Sequence, residues 1–222
     1  MRKAHDTERR LLDGWNSPPN LVTYTRILLV IVFIVIDVMA GPWGVSNVRL
    51  RWAAAILFIV AASTDKLDGW MARSHNQVTE LGKLLDPIAD KLLIGSALVV
   101  ASVFGEIYWW VTVLMLVREI GITVMRFFVI DTGGRVIAAS SAGKYKTLAQ
   151  CVGLGLILLP AWSLAPSWQS SPMWLDVYYV AAYTVVYLSL ILCLYSGALY
   201  VLGVVRARRS RMSRGSEDGS DE

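Results

Sequence analysis

Cysteine is scarce in this chain, and so is histidine: there are two of each in 222 residues. Cys151 and Cys193 both fall inside apolar runs, without the company a disulfide scaffold or a zinc centre needs. They read as small core hydrophobes. His5 lies in the polar start and His75 just beyond Arg73; neither has metal-ligating neighbours, and both read as solvated. Charge is thin as well. Only 17% of residues are charged, against 55% hydrophobic and a mean hydropathy of +0.52, a balance too apolar for an ordinary soluble domain. The opening MRKAHDTERR has no apolar core, which predicts no cleaved signal peptide. No internal repeat is evident.

What the chain does have is long apolar runs. A membrane-spanning helix needs about 20 such residues, and six segments qualify: Leu21–Ala40, Arg51–Arg73, Leu84–Phe104, Ile107–Ile130, Lys144–Trp162 and Leu175–Val205. The fold class expected is therefore an all-α integral membrane protein of about six transmembrane helices. The sixth run is too long for one straight crossing, so its end is expected to project into water. The domain division expected is a cytoplasmic amphipathic segment over 1–19, a transmembrane domain over 20–206, and a basic then acidic disordered tail over 207–222.

Basic residues alternate between the connections. Arg2, Lys3, Arg9 and Arg10 stand at the start. Lys66, Arg73 and Lys83 lie between the second and third runs, and Arg135, Lys144 and Lys146 between the fourth and fifth. Arg206, Arg208, Arg209, Arg211 and Arg214 follow the sixth. The other connections hold only Arg49 and Arg51. The positive-inside rule then puts both termini on the cytoplasmic side, with an active site facing the cytoplasm of a multi-pass cell-membrane protein. Trp43, Trp109, Trp110, Trp162, Trp168 and Trp174 gather at the opposite ends, as an aromatic belt does. The net charge of +4, gathered at one face, suits anionic membrane lipids. Split among membrane-bounded loops, it does not suit nucleic acid.

Against this background Asp65, Asp68, Asp86 and Asp90 stand out, four carboxylates within 26 residues at the edges of two apolar runs. One ionised carboxylate in a bilayer core costs about 2.5–3.5 kcal/mol by insertion scales. On helices, Asp65 and Asp68 share one face and Asp86 and Asp90 another. Two such helices side by side offer an all-oxygen cage suited to hard divalent cations. The alternative is a structural ion-pair network with Lys66, Arg73, Lys83 and Lys91. Pro87, directly after Asp86, suits a first helical turn and predicts that the third helix begins there.

The full pattern is D-x2-D-G-x2-A-R-x8-G-x3-D-x3-D, every defined position filled between Asp65 and Asp90. It resembles the signature of the CDP-alcohol phosphotransferase family, membrane enzymes of phospholipid synthesis, and the likeness runs from about Asn20 to about Gln150. The resemblance implies transfer of a phosphatidyl group from CDP-diacylglycerol to an alcohol, with release of CMP. It implies two ions, Mg²⁺ or Mn²⁺, with Asp65 and Asp86 bridging both and Asp68 a ligand of one. Asp90 is implied as the proton acceptor, also touching the second metal. CDP-diacylglycerol contacts are implied for Gly69, Ala72, Arg73, Thr79 and Gly82. The pattern Asn20-x-x-Thr23-x-x-Arg26 is similar to the family's too and implies further contacts to that lipid, although Asn20 can equally be a helix N-cap. A homodimer is typical of the family.

A second polar cluster bears on the acceptor. Arg118, Glu119 and Arg126 interrupt the fourth run, and Arg135 and Gly143-Lys144-Tyr145-Lys146-Thr147 follow. Cations at membrane depth are functional candidates, and an acceptor with its own phosphate explains Arg118, Arg126, Arg135, Lys144 and Lys146 together. The Arg-Glu pair followed by Gly-Lys-x-Lys-Thr resembles the branch that uses sn-glycerol 3-phosphate and forms phosphatidylglycerophosphate. Branches using phosphatidylglycerol (cardiolipin formation) or inositol phosphate are the alternatives. A plain Arg118–Glu119 ion pair with lysines anchoring a helix end is the structural alternative. A divalent-cation transporter or membrane scaffold is the reading from a different class. A transporter lines a path through several spans, whereas here the polar residues sit at one face.

Overall fold

A computed structural model describes the backbone of residues 18–75, 80–131, 141–165 and 172–217, and the side chains of most residues in 21–64, 88–125, 145–165 and 172–205. Six long α-helices make up almost all of it: α1 Pro18–Ala40, α2 Val48–His75, α3 Glu80–Val103, α4 Trp109–Asp131, α5 Ser141–Leu158 and α6 Met173–Glu217. Short 3₁₀ turns, Pro42–Gly44 and Ala161–Leu164, follow α1 and α5. There is no strand among the described residues. Each expected run coincides with one helix, because each apolar run is bounded by turn residues or charge.

Three boundaries differ from expectation. First, α3 begins at Glu80, so Pro87 lies inside the helix and not at its start. A proline removes one backbone donor there, a loss that helices packed among neighbours absorb. Second, α6 continues to Glu217 through most of the segment expected to be a disordered tail. Its arginines and Met212 are good helix formers, and they extend a helix already nucleated. Third, α1 begins at Pro18, so Asn20 is a first-turn residue and not an N-cap. Residues 1–17 and 218–222, which carry the amphipathic start and the acidic end, lie outside the described residues.

The helices pack α1 on α2 and α3, α4 on α6, and α5 on α2 and α6. The core they share includes Phe33, Ala54, Ala55, Phe58, Ala61, Ala97, Leu98, Met115, Leu154, Ala182 and Val186. Alanines at these interfaces let backbones approach closely, the usual packing device where lipid supplies no hydrophobic drive between helices. Among the described α-helical glycines, Gly153 is the tightest case. A Cβ added there would lie 3.0 Å from Val186 Cγ2 and 3.2 Å from Val186 N.

Large apolar side chains also cover the outside, among them Leu28, Ile31 and Val35 of α1, Val117 and Ile120 of α4, and Val180 and Ile191 of α6. Thr23–Ala40 and Met173–Val205 are each long and apolar enough to cross a membrane, with only 33% and 28% of their apolar windows buried inside the bundle. Lys91–Val103 and Tyr145–Leu158 are shorter apolar stretches.

One end of the bundle is closed by a buried ion cluster that the sequence does not announce. Arg51, expected as a loop cation, is fully buried. Its Nη1 donates to Asp37 Oδ1 at 2.7 Å, its Nη2 to Glu106 Oε2 at 2.5 Å and its Nε to the Leu158 carbonyl at 2.9 Å. Glu106 Oε1 accepts the Trp43 backbone N–H at 2.7 Å, and the Tyr183 hydroxyl donates to the Glu106 carbonyl at 2.8 Å. Trp43 is held at φ 55°, an uncommon conformation for a bulky residue. Its carbonyl accepts the Trp162 indole N–H at 2.9 Å. Four of the six helices, α1, α2, α5 and α6, and the connection between α3 and α4 are thus tied at this end. Burial pushes the Glu106 carboxyl above its ordinary range, and the Arg51 guanidinium pulls it partly back.

Candidate active site

The end opposite the Arg51 cluster is where the sequence motif falls. Asp65 lies fourteen residues beyond Arg51 on α2, about 21 Å along the helix. α2 ends at His75 and α3 begins at Glu80, so both acid-bearing helix halves lie at one end of the bundle. The helical backbone puts Asp65 and Asp68 on one face of α2 and Asp86 and Asp90 on one face of α3. Gly69, Ala72 and Arg73 follow in the last turns of α2, and Gly82 in the first turn of α3. The side chains of these aspartates and of Arg73 lie outside the described residues, as does Thr79 altogether.

The donor set suits the implied metal. It is all carboxylate, drawn from two helices whose ends adjoin, which is the chemistry that Mg²⁺ and Mn²⁺ select over softer ions.

α1 brings Thr23 and Arg26 to the interior. Thr23 and Arg26 are each only 1% exposed in a helix whose Leu28, Ile31 and Val35 face outward. A fully buried guanidinium in an apolar helix is a functional candidate by default. The Asn20 side chain lies outside the described residues.

The acceptor cluster is described in part. Arg118 and Glu119 lie on α4 and Lys146 on α5, and these three come together. The Lys146 ammonium donates to Glu119 Oε1, and Arg118 Nη1 stands 3.4 Å from the same oxygen. The plain Arg118–Glu119 pair considered from sequence is therefore present, as one half of a three-residue arrangement. Arg118 Nη2 donates to Ser196 Oγ on α6 at 2.7 Å. The Cys193 thiol lies 3.9 Å from Glu119 Oε1. Lys91, next to Asp90, donates through Nζ to Thr123 Oγ1 at 2.6 Å, and Thr123 donates to the Glu119 carbonyl at 2.7 Å. A hydrogen-bonded path thus runs from α3, beside the acidic motif, to the cluster. Arg126 and Lys144 are helical residues whose side chains lie outside the described residues, and Arg135 lies outside them entirely.

Ser196 and Gly197 escape the sequence reading because a Ser-Gly pair inside an apolar run looks like ordinary helix packing. Asp37 and Glu106 escape it because each is a lone acid whose partner is distant in the chain. The one available signal was the pairing of two isolated acids with an isolated Arg51 at matching helix ends.

The chain matches the family model for CDP-alcohol phosphatidyltransferase over residues 16–207 and belongs to that family. The apolar helices and the family together make it a membrane protein. Among its relatives is a probable phosphatidylglycerophosphate synthase of Mycobacterium tuberculosis, 45% identical over 141 residues, or 64% of this chain and 65% of the relative. A CDP-diacylglycerol–glycerol-3-phosphate 3-phosphatidyltransferase of Bacillus subtilis is 40% identical over 147 residues, covering 64% of this chain and 76% of that protein. A protein of the same description from Escherichia coli K12 is 40% identical over 146 residues, covering 63% and 75%. The chain thus aligns with 65% of the length of the mycobacterial relative.

Proposed function

We propose that this protein transfers the phosphatidyl group of CDP-diacylglycerol to sn-glycerol 3-phosphate, giving phosphatidylglycerophosphate and CMP. The observation that carries the reading is the family match over 16–207, joined by relatives in three organisms whose names all specify phosphatidylglycerophosphate synthesis or glycerol 3-phosphate as acceptor. The gathering of Arg118 and Lys146 on one carboxylate supports it, since a phosphate-bearing acceptor needs cations at membrane depth. Membership of a phosphatidyltransferase family stands against the cation-transporter and scaffold readings.

In this reading Asp65, Asp68, Asp86 and Asp90 would hold two divalent ions, Mg²⁺ or Mn²⁺. When bound, such ions neutralise the pyrophosphate and stabilise departing CMP. The chain's own residues do the rest. Asn20, Thr23, Arg26 and Arg73 hold the CDP-diacylglycerol head group, and Gly69, Ala72 and Gly82 leave room for it beside the backbone. Thr79 adds a contact to the nucleotide. Arg118, Arg126, Arg135, Lys144 and Lys146 draw in the acceptor's phosphate and so present its hydroxyl. Asp90 takes the hydroxyl proton as the oxygen attacks phosphorus.

The membrane arrangement proposed is six spans with both termini and the site on the cytoplasmic side. The outward apolar faces of α1, α4 and α6 support it, as does the concentration of lysine and arginine at the end bearing the aspartates. The homodimer that the resemblance implies is carried as part of this reading, and mass measurement in detergent tests it.

The deciding experiment offers labelled CDP-diacylglycerol to the purified protein with glycerol 3-phosphate, inositol phosphate or phosphatidylglycerol in parallel. Phosphatidylglycerophosphate formed only with the first is the expected result. A product from either other acceptor alone would overturn the choice of acceptor.

A further inference from the structure

We propose that Ser196, on the last helix, is a positioning residue of the acceptor site that acts by fixing the Arg118 guanidinium. The inference rests on the reading of Arg118 as part of that site. A guanidinium on a flexible stem recognises phosphate well only when its planar fork is held in orientation. Here the two terminal nitrogens are held unequally. Nη1 reaches Glu119 at 3.4 Å, a long contact that Glu119 shares with Lys146. Nη2 makes the short bond, 2.7 Å to Ser196 Oγ. Ser196 is 6% exposed, so water does not readily replace its hydroxyl.

The next residue reinforces the assignment. A Cβ on Gly197 would stand 3.1 Å from both Cγ and Nε of Arg118, closer than such atoms usually come. The arginine stem therefore lies directly against the α6 backbone, and the absence of a side chain at 197 admits it. Ser196 and Gly197 act on the two ends of one side chain, the first orienting the fork and the second seating the stem. α6 thereby becomes a wall of the acceptor site, although from sequence it is only a span.

The test is steady-state kinetics of the full chain in detergent with lipid, varying each substrate in turn. Ser196→Ala is expected to raise the KM for glycerol 3-phosphate roughly tenfold, the scale of one hydrogen bond to a charged group. The KM for CDP-diacylglycerol should stay near its original value. Ser196→Thr, which keeps the hydroxyl, should restore the acceptor KM. In an Arg118→Ala background, Ser196→Ala should add nothing, because the partner through which it acts is gone. Gly197→Ala should raise the acceptor KM with the hydroxyl intact. If Arg118→Ala raises the acceptor KM and Ser196→Ala does not, the Ser196 inference alone is overturned. It is also overturned if the Ser196→Ala effect persists in the Arg118→Ala background. If Arg118→Ala itself leaves the acceptor KM unchanged, the acceptor-site reading fails first. Thermal unfolding of each variant separates misfolding from a kinetic effect.

Discussion

Arg51 and Glu106, 55 residues apart in sequence, meet at 2.5 Å in the closed end of the bundle, with Asp37 on the other arm of the guanidinium. Neither side chain is exposed. Breaking such an arrangement from the cationic side strands two carboxylates in an apolar interior. Arg51→Leu is therefore expected to destabilise the protein by about 3–5 kcal/mol, read as a loss of thermal resistance in detergent. A variant that unfolds at the wild-type temperature would show that the cluster contributes little.

The same cluster has a pH signature. The Glu106 carboxyl is raised above its ordinary value of 4.5, by burial first and against the opposing pull of Arg51. A carboxyl that holds its proton more tightly folded than unfolded contributes stability that is complete below the ordinary value. That contribution is lost as the pH rises through the elevated one. The stability of the wild type relative to Glu106→Gln should accordingly fall as the pH climbs from about 4.5 and then level off. Acids remote from the cluster titrate alike in both proteins and cancel in the difference, whereas Asp37, which shares Arg51, is replaced by Asn in both for the comparison. A difference that grows with pH would mean that the attraction of Arg51 outweighs burial.

Helix packing offers a sharper contrast. Gly153→Ala forces a methyl to 3.0 Å from Val186 Cγ2 on α6 and 3.2 Å from the Val186 backbone nitrogen. Overpacking of this kind costs about 1–3 kcal/mol. Gly155→Ala, on the same helix, meets nothing nearer than 3.9 Å and should be tolerated. Comparing the two thermal transitions checks the α5–α6 seam without touching the proposed chemistry.

For the acidic motif, Asp90→Asn should leave CDP-diacylglycerol and metal binding largely intact, since Asp65, Asp68 and Asp86 remain as ligands, while losing turnover by about 10²-fold or more. Asp65→Ala or Asp86→Ala should weaken Mg²⁺ or Mn²⁺ binding measured by calorimetry. Chelation of the wild type should abolish turnover, and added Mg²⁺ or Mn²⁺ should restore it. Full activity in Asp90→Asn would remove it from that role.

The helical skeleton is legible in the sequence because its physics is local. An apolar run of sufficient length, stopped by Gly41-Pro42, by Gly105-Glu106 or by Pro160, has few alternatives to a helix. The acidic motif is legible for a related reason, since its spacing lies within two adjoining helices. Partnerships across the fold are not. Nothing near residue 51 says that it will find Asp37 and Glu106, and nothing near Ser196 points to Arg118, because those contacts depend on how helices dock. Pro87 misleads for the converse reason. A local preference for helix starts is overridden by a helix that runs on through it.

The Arg51 cluster ties four of the six rods at one extremity, and the Arg118–Glu119–Lys146 group with Lys91, Thr123 and Ser196 ties α3, α4, α5 and α6 farther along. Among the described residues α5 and α6 are the two rods held by both fasteners, so this pair sets the separation of the two clusters.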